Sequence, residues 1–262
     1  MVSFNFFEIK SIQLLEPKTG NKLRGWLSQI THEVSLSSIS LCQNQIDNKQ
    51  IIVYLDEKKD LFVAQIPLSY GSVSKAREHS FAIQKIGYQI DSFHLNHDTA
   101  DIAAISTTSY HIWYDLEGMW FEKDLALLAK DTADLPSGGK NSRIVSMQSP
   151  YVLFLRDDGV LLKEIVSPFH SIIRRLVRDE NWEKVLQICR LSKSESLWAA
   201  CAGLALRHNN LQSLRSSLAA LKLIDKVEFF DSLMSIERSE VSIFILLSNL
   251  HLLLFTVFTF YS

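Results

Sequence analysis

Leu14, Val63, Ile112 and Leu161 stand 49 residues apart, and so do Leu15, Ala64, Trp113 and Leu162. Each position falls in the second of two β-prone runs around a short polar turn. These stretches are FNFFEIKSIQLLE (4–16), IIVYLDEKKDLFVAQI (51–66), DIAAISTTSYHIWYDL (101–116) and YVLFLRDDGVLLKEI (151–165). Each reads as a hairpin, and Asp158-Gly159 is a turn signal of its own. A constant step of this size built from short strands is the signature of propeller blades. VSLSSISL (34–41) and YQIDSFHL (88–95) read as inner strands, and GMWFEKDLALL (118–128) as an outer one. The expected architecture over residues 1–166 is a partial β-propeller of three to four blades; the competing topology is an unrelated meander sandwich. Closed propellers usually have about four to eight blades, so an open array leaves strand edges that favour self-association or a partner.

The ends of the second strands resemble those of WD-repeat blades. In QLLEPKTGNK (13–22), Leu15-Glu16 takes the place of the Trp-Asp pair and a Thr-Gly turn follows. HIWYD (111–115) keeps the tryptophan at Trp113 and has Tyr114 for the aspartate. The remaining copies have Ala64-Gln65 and Leu162-Lys163, so the repeats are degenerate and the period carries the assignment.

At SPFH (167–170) the pattern changes from alternation to helical spacing. Ser167 is placed to cap a helix with Pro168 in its first position, where a missing N–H costs nothing. Phe169, Ile172, Ile173, Leu176 and Val177 then form an apolar stripe. Asn181 caps a second helix with Trp182, Val185, Leu186 and Cys189 on one face, and Ser194 caps a third with Leu197, Trp198, Cys201, Leu204 and Ala205. Leu211, Leu214, Leu218 and Leu221 mark a fourth helix; Ile224, Val227, Phe230 and Leu233 mark a fifth. Short connections make neighbours antiparallel, as in a tetratricopeptide-like α-solenoid over 167–240. Trp182 and Trp198 are expected to be largely buried. The tail, 241–262, has no Asp, Glu, Lys or Arg in 22 residues. It reads either as an apolar solenoid end or as a membrane anchor of roughly 18 residues. Ser248, Asn249 and His251 near its middle, and only Arg238 on its flank, favour the solenoid end.

Composition excludes some functions. A net charge of -2 lacks the basic excess that nucleic acid or anionic lipid requires. Cys42, Cys189 and Cys201 form no disulfide framework or zinc motif, which favours a reducing compartment. MVSFNFFEIK has no basic n-region and carries Glu8, so it does not read as a signal peptide. SGGK (137–140) lacks the first glycine and the Ser/Thr of a phosphate loop, and is taken as a blade loop. His94 and His97 have HxxH spacing, but in a strand that spacing points them to opposite faces. Asp56, Asp60, Asp157 and Asp158 sit at hairpin turns, where Asp is favoured by local backbone bonding. Arg174, Arg175 and Arg178 form a basic spot that Asp179 and Glu180 close at once. No catalytic, cofactor-binding or metal-ligating residue is assigned, and no cofactor is expected.

Several segments carry a family resemblance: SIQLLEPKTGNKL (11–23), HIWY (111–114), SPFHSII (167–173), WEKVLQICRLSKSESLWAACAGLAL (182–206) and LIDKVEF (223–229). They resemble the intraflagellar transport protein 80 family, in the same order, over roughly residues 4 to 240. The resemblance implies the end of a second WD-repeat propeller and the start of a helical solenoid, within a partial or truncated form. It also implies a non-enzymatic scaffold of intraflagellar transport complex B, located in cilium and cytoplasm near the basal body, whose partners are other complex B subunits. Two further classes compete with this one. One is another propeller–solenoid coat or vesicle-trafficking scaffold. The other is an enzyme or ligand-binding propeller, for which no convergent polar set is visible.

Overall fold

The computed structural model describes residues 10–13, 15, 18–21, 29–44, 49–66, 83–114, 116, 123–136 and 142–236. Residues 4–9, the SGGK loop and the tail 241–262 lie outside the described residues. Contacts divide the chain into two compact units: Met1–Ile112 with Thr132–Ile165, and Trp113–Asp131 with Val166–Ser262.

The first unit is a partial β-propeller of antiparallel sheets. A leading pair, β1 (Ser11–Gln13) and β2 (Gln29–Thr31), is followed by a first full sheet of β3 (Leu36–Asn44), β4 (Lys49–Asp56), β5 (Leu61–Ile66) and β6 (Ile83–Gly87). A second full sheet holds β7 (Ile90–Leu95), β8 (Ile102–Ser106), β9 (Ser109–Trp113) and β10 (Lys130–Asp134). The last sheet has three strands, β11 (Arg143–Gln148), β12 (Tyr151–Leu155) and β13 (Leu161–Ile165). The residues on the 49-residue step occupy the third strand of each of these three sheets: Val63 in β5, Ile112 in β9 and Leu161 in β13. The first strands β3, β7 and β11 lie side by side, as inner strands do.

Strand composition follows the number of covered faces. Ile51–Asp56 and Ile102–Ile105 are buried at every residue, because both faces of β4 and β8 are covered. A strand in that position has no use for alternation. YVLFL in β12 is equally apolar, yet only Val152 and Phe154 are fully buried, and Tyr151, Leu153 and Leu155 on the other face are not. The turn Asn96–Ala100 joins neighbouring sheets. Asn96 Nδ2 donates to Met147 O at 2.9 Å in β11, and Cys42 Sγ donates to His97 O at 3.2 Å from β3.

The outer strand expected at 118–128 is overturned over 123–128, and residues 118–122 lie outside the described residues. Residues 123–128 form helix α1 (Lys123–Leu128), and β10, with the polar sequence KDTAD, is the fourth strand instead. Leu125, Ala126 and Ala129 are buried while Leu127 is 56% exposed, a pattern that the alternation of a strand cannot produce.

α1 belongs to the second unit, with α2 (Phe169–Arg178), α3 (Trp182–Ser192), α4 (Glu195–Arg207), α5 (Leu211–Ala220) and α6 (Ile224–Ile236). α4 is its axis: Ser196–Ala205 is buried without a break. α1, α2, α3 and α5 all pack against it, and Leu125 and Ala129 share a cluster with Ala199, Ala202, Ala205, Leu214, Leu218 and Phe230. The small residues let these helices approach closely.

Asn181 and Ser194 cap as the sequence indicates, accepting from Lys184 N at 3.3 Å and Leu197 N at 3.3 Å. Asn210 does the same for α5, accepting from Ser213 N at 2.9 Å. Ser167 does not cap α2. Pro168 takes the cap position in helical geometry (φ -76°, ψ -12°), with no side-chain cap bond. Each turn between successive helices passes through one left-handed residue that is not glycine: Glu180, Lys193, Asn209 and Lys222. Three of these ends are closed by paired backbone bonds, such as Asn181 N to Leu176 O and Glu180 N to Val177 O, which satisfy the last carbonyls.

Trp198 is buried, but Trp182 is only half-buried, against the α4–α5 cluster and edge-on to His208. Trp198→Ala is therefore expected to cost about 3–5 kcal/mol and Trp182→Ala clearly less, measured by denaturant unfolding followed by helical circular dichroism. Leu125→Ala should cost about 2–5 kcal/mol, because it opens a cavity beside α4, with the loss of hydrogen-exchange protection concentrated in α4 and α5.

Candidate interaction surface

The residues singled out for chemistry do not converge. His94 is half-buried in β7, and His97 is exposed in the following turn. Burial, with a smaller contribution from His97, pushes the His94 imidazole below its ordinary range. Among the described residues no three His, Cys, Asp or Glu are placed to share a metal ion. Asp157 is exposed, and Asp158 accepts from Val160 N at 3.1 Å and pairs with Arg156, so it works within its own turn. Arg175 and Arg178 lie in the last turn of α2, where positive charge suits the helix dipole. Cys189 and Cys201 are both inaccessible, and the Cys201 thiol together with burial holds the Cys189 thiol protonated.

Sequence reasoning places Asp56 and Asp60 at a hairpin turn but misses the buried polar centre that Asp56 forms with His32 in the first full sheet. Asp56, 2% exposed, accepts from Asp60 N at 2.8 Å through Oδ1 and meets His32 Nε2 at 3.2 Å through Oδ2. His32 lies edge-on to Tyr54 and Phe62, which stack on each other at 5.2 Å. Burial, then the Asp56 carboxylate, pushes the Tyr54 hydroxyl up to about 12. Ser37 Oγ donates to Leu55 O at 3.1 Å. Asp56 thus ties the β4–β5 turn to the segment entering β3. Twenty-four residues separate His32 from Asp56, and no spacing rule connects them.

Trp113 and Tyr114, at the degenerate Trp-Asp position, are both 1% exposed. Tyr114 stacks on His170 of α2 at 3.4 Å and 5°, and its N–H donates to Ala129 O at 3.0 Å. The residue in place of the aspartate is therefore spent on packing within the helical unit.

Among the described residues of the first unit, exposed large hydrophobics gather on the last sheet. Val145, Tyr151, Val160, Leu161 and Ile165 are five of the seven large hydrophobics exposed in that unit among the described residues. Tyr151 faces Ile165 across the β12–β13 pair, and Lys163 Nζ lies 3.5 Å from the Tyr151 ring centroid. Together they make an apolar strip along β13 with one cation at its centre. An exposed apolar strip suits a protein contact, whereas a small ligand is held in an enclosed pocket.

A model of the IFT80 second beta-propeller matches residues 4–169. The chain belongs to the intraflagellar transport protein 80 family. Relatives include the intraflagellar transport protein 80 homologs of Mus musculus, 26% identical over 231 residues, and of Rattus norvegicus, 25% identical over 231 residues. Each alignment covers 88% of this chain and 29% of the relative, so the chain spans less than a third of the length of these relatives. The propeller match to the family stops where α2 begins, and the longer alignments continue into the helices.

Asp56→Ala removes the acceptor of the Asp60 N–H and should cost about 1–3 kcal/mol in urea unfolding. Asp56→Asn keeps that acceptor and should cost less. Equal losses would show that the turn bond does not matter.

Proposed function

We propose that this chain is a non-enzymatic scaffold subunit of intraflagellar transport complex B. It supports cilium assembly and intraciliary transport through protein contacts, in the cilium and in the cytoplasm around the basal body. In this reading residues 1–166 are the partial propeller, 167–240 the solenoid and 241–262 an apolar tail, with other complex B subunits as partners. The supporting observation is the family match across the propeller, continued by the relatives' alignment into the helices. The chemistry is consistent with it. Asp56 and Asp158 serve turns, Arg175 and Arg178 a helix end, and the exposed strip on β13 has the character of a contact surface.

Affinity purification of the tagged full chain from ciliated cells tests this directly. Complex B subunits are expected to co-purify, and the tag to localise along the axoneme and at its base. Recovery of vesicle-coat subunits instead, or no enrichment of complex B over an untagged control, would overturn it.

A further inference from the structure

We propose that the outer edge of β13 is a strand-acceptor site. Its occupant is an extended segment of another protein, antiparallel to β13, with an acidic residue facing Lys163 and apolar residues two positions to either side facing Leu161 and Ile165. The chain's own complete sheets are the precedent. In the first full sheet β6 pairs antiparallel on the far side of β5, and in the second β10 lies on the far side of β9. β13 is the third strand of its sheet by order and by the 49-residue step, and no described strand lies beyond it. At the matching positions Val63 is 0% exposed and Ile112 1%, whereas Leu161 is 62% exposed, so the face that an added strand would extend is open on β13.

The residues directly after β13 do not supply a fourth strand. Sixteen residues separate β5 from β6 and sixteen separate β9 from β10, but α2 starts after only three, Val166–Pro168. An edge strand presents alternate N–H and C=O groups outward, and an added strand satisfies them whatever its sequence. Selectivity then comes from side chains. On β13 Leu161, Lys163 and Ile165 share the exposed face, while Leu162 and Glu164 are half-buried.

Lys163 decides the class of occupant. A second copy paired antiparallel so that Leu161 meets Ile165 would set Lys163 directly against Lys163. Like charges in that position repel, and an edge lysine is a common guard against self-pairing. An incoming Glu or Asp converts the same position into an attraction, flanked by apolar contacts. The site thus disfavours its own copy and selects an apolar–x–acidic–x–apolar segment. This inference does not depend on the intraflagellar reading.

The test uses the full chain and two synthetic peptides, Ser-Thr-Val-Thr-Glu-Thr-Val-Thr-Ser and the same peptide with Lys for Glu. Fluorescence anisotropy gives affinity, and hydrogen exchange read by mass spectrometry locates the contact. The Glu peptide should bind roughly fivefold more tightly than the Lys peptide and slow exchange at 161–165. Lys163→Glu, a surface change that leaves the core untouched, should reverse the preference. Equal affinities, protection elsewhere than β13, an unchanged preference in Lys163→Glu, or no protection by either peptide at millimolar concentration would each overturn the proposal.

Discussion

The burial of α4 is the demand around which the second unit is organised. Ten consecutive residues, Ser196–Ala205, are buried, so the helix needs neighbours on every side. Two antiparallel partners cannot surround it. α2, α3 and α5 cover part of its circumference, and α1 comes from a distant part of the sequence to cover more. That requirement explains why the connection between β9 and β10 holds a helix, and why β10 can be short and polar. It also accounts for Tyr114. An aspartate there could not stack on His170, whereas a tyrosine ring fills the space and adds aromatic contact.

The first unit relies on a different kind of tie. Its sheets meet through apolar faces, which are not directional, and a few polar bonds set their register. Asn96 and the His97 carbonyl hold one turn to both neighbouring sheets. Asp56 holds the β4–β5 turn to His32 at the entrance to β3. Buried and paired, such groups penalise any slip of one sheet against the next, because a slip leaves them without partners. At the last sheet the succession stops, and the apolar pattern that is buried in β4 and β8 becomes half exposed in β12 and β13.

Much of this was legible in the residues. IIVYL, IAAI and YVLFL are strands, the step of 49 places the third strand of each sheet, and Asn181 and Ser194 announce their helices. The failures have physical causes. KDTAD carries no apolar signal because it is an outer strand with little to bury. Residues 123–128 read as a strand in the sequence because a six-residue helix shows too little of its period, and its apolar face matters only against α4. The helix ends bore no glycine, because Glu180, Lys193, Asn209 and Lys222 accept left-handed geometry in exchange for well-bonded termini.

Local pattern and period are one-dimensional properties, and the sequence alone determined what depends on them: the type of each long element, the repeat, and the switch from strands to helices near Ser167. Tertiary structure alone decided which apolar surfaces find cover. Val63, Ile112 and Leu161 are equivalent along the chain, yet the first two are sealed and the third faces water. It also decided that His32 meets Asp56 and that Tyr114 meets His170. Burial and pairing depend on what arrives from elsewhere in the chain, and nothing in the residues at either end of such a contact records its partner.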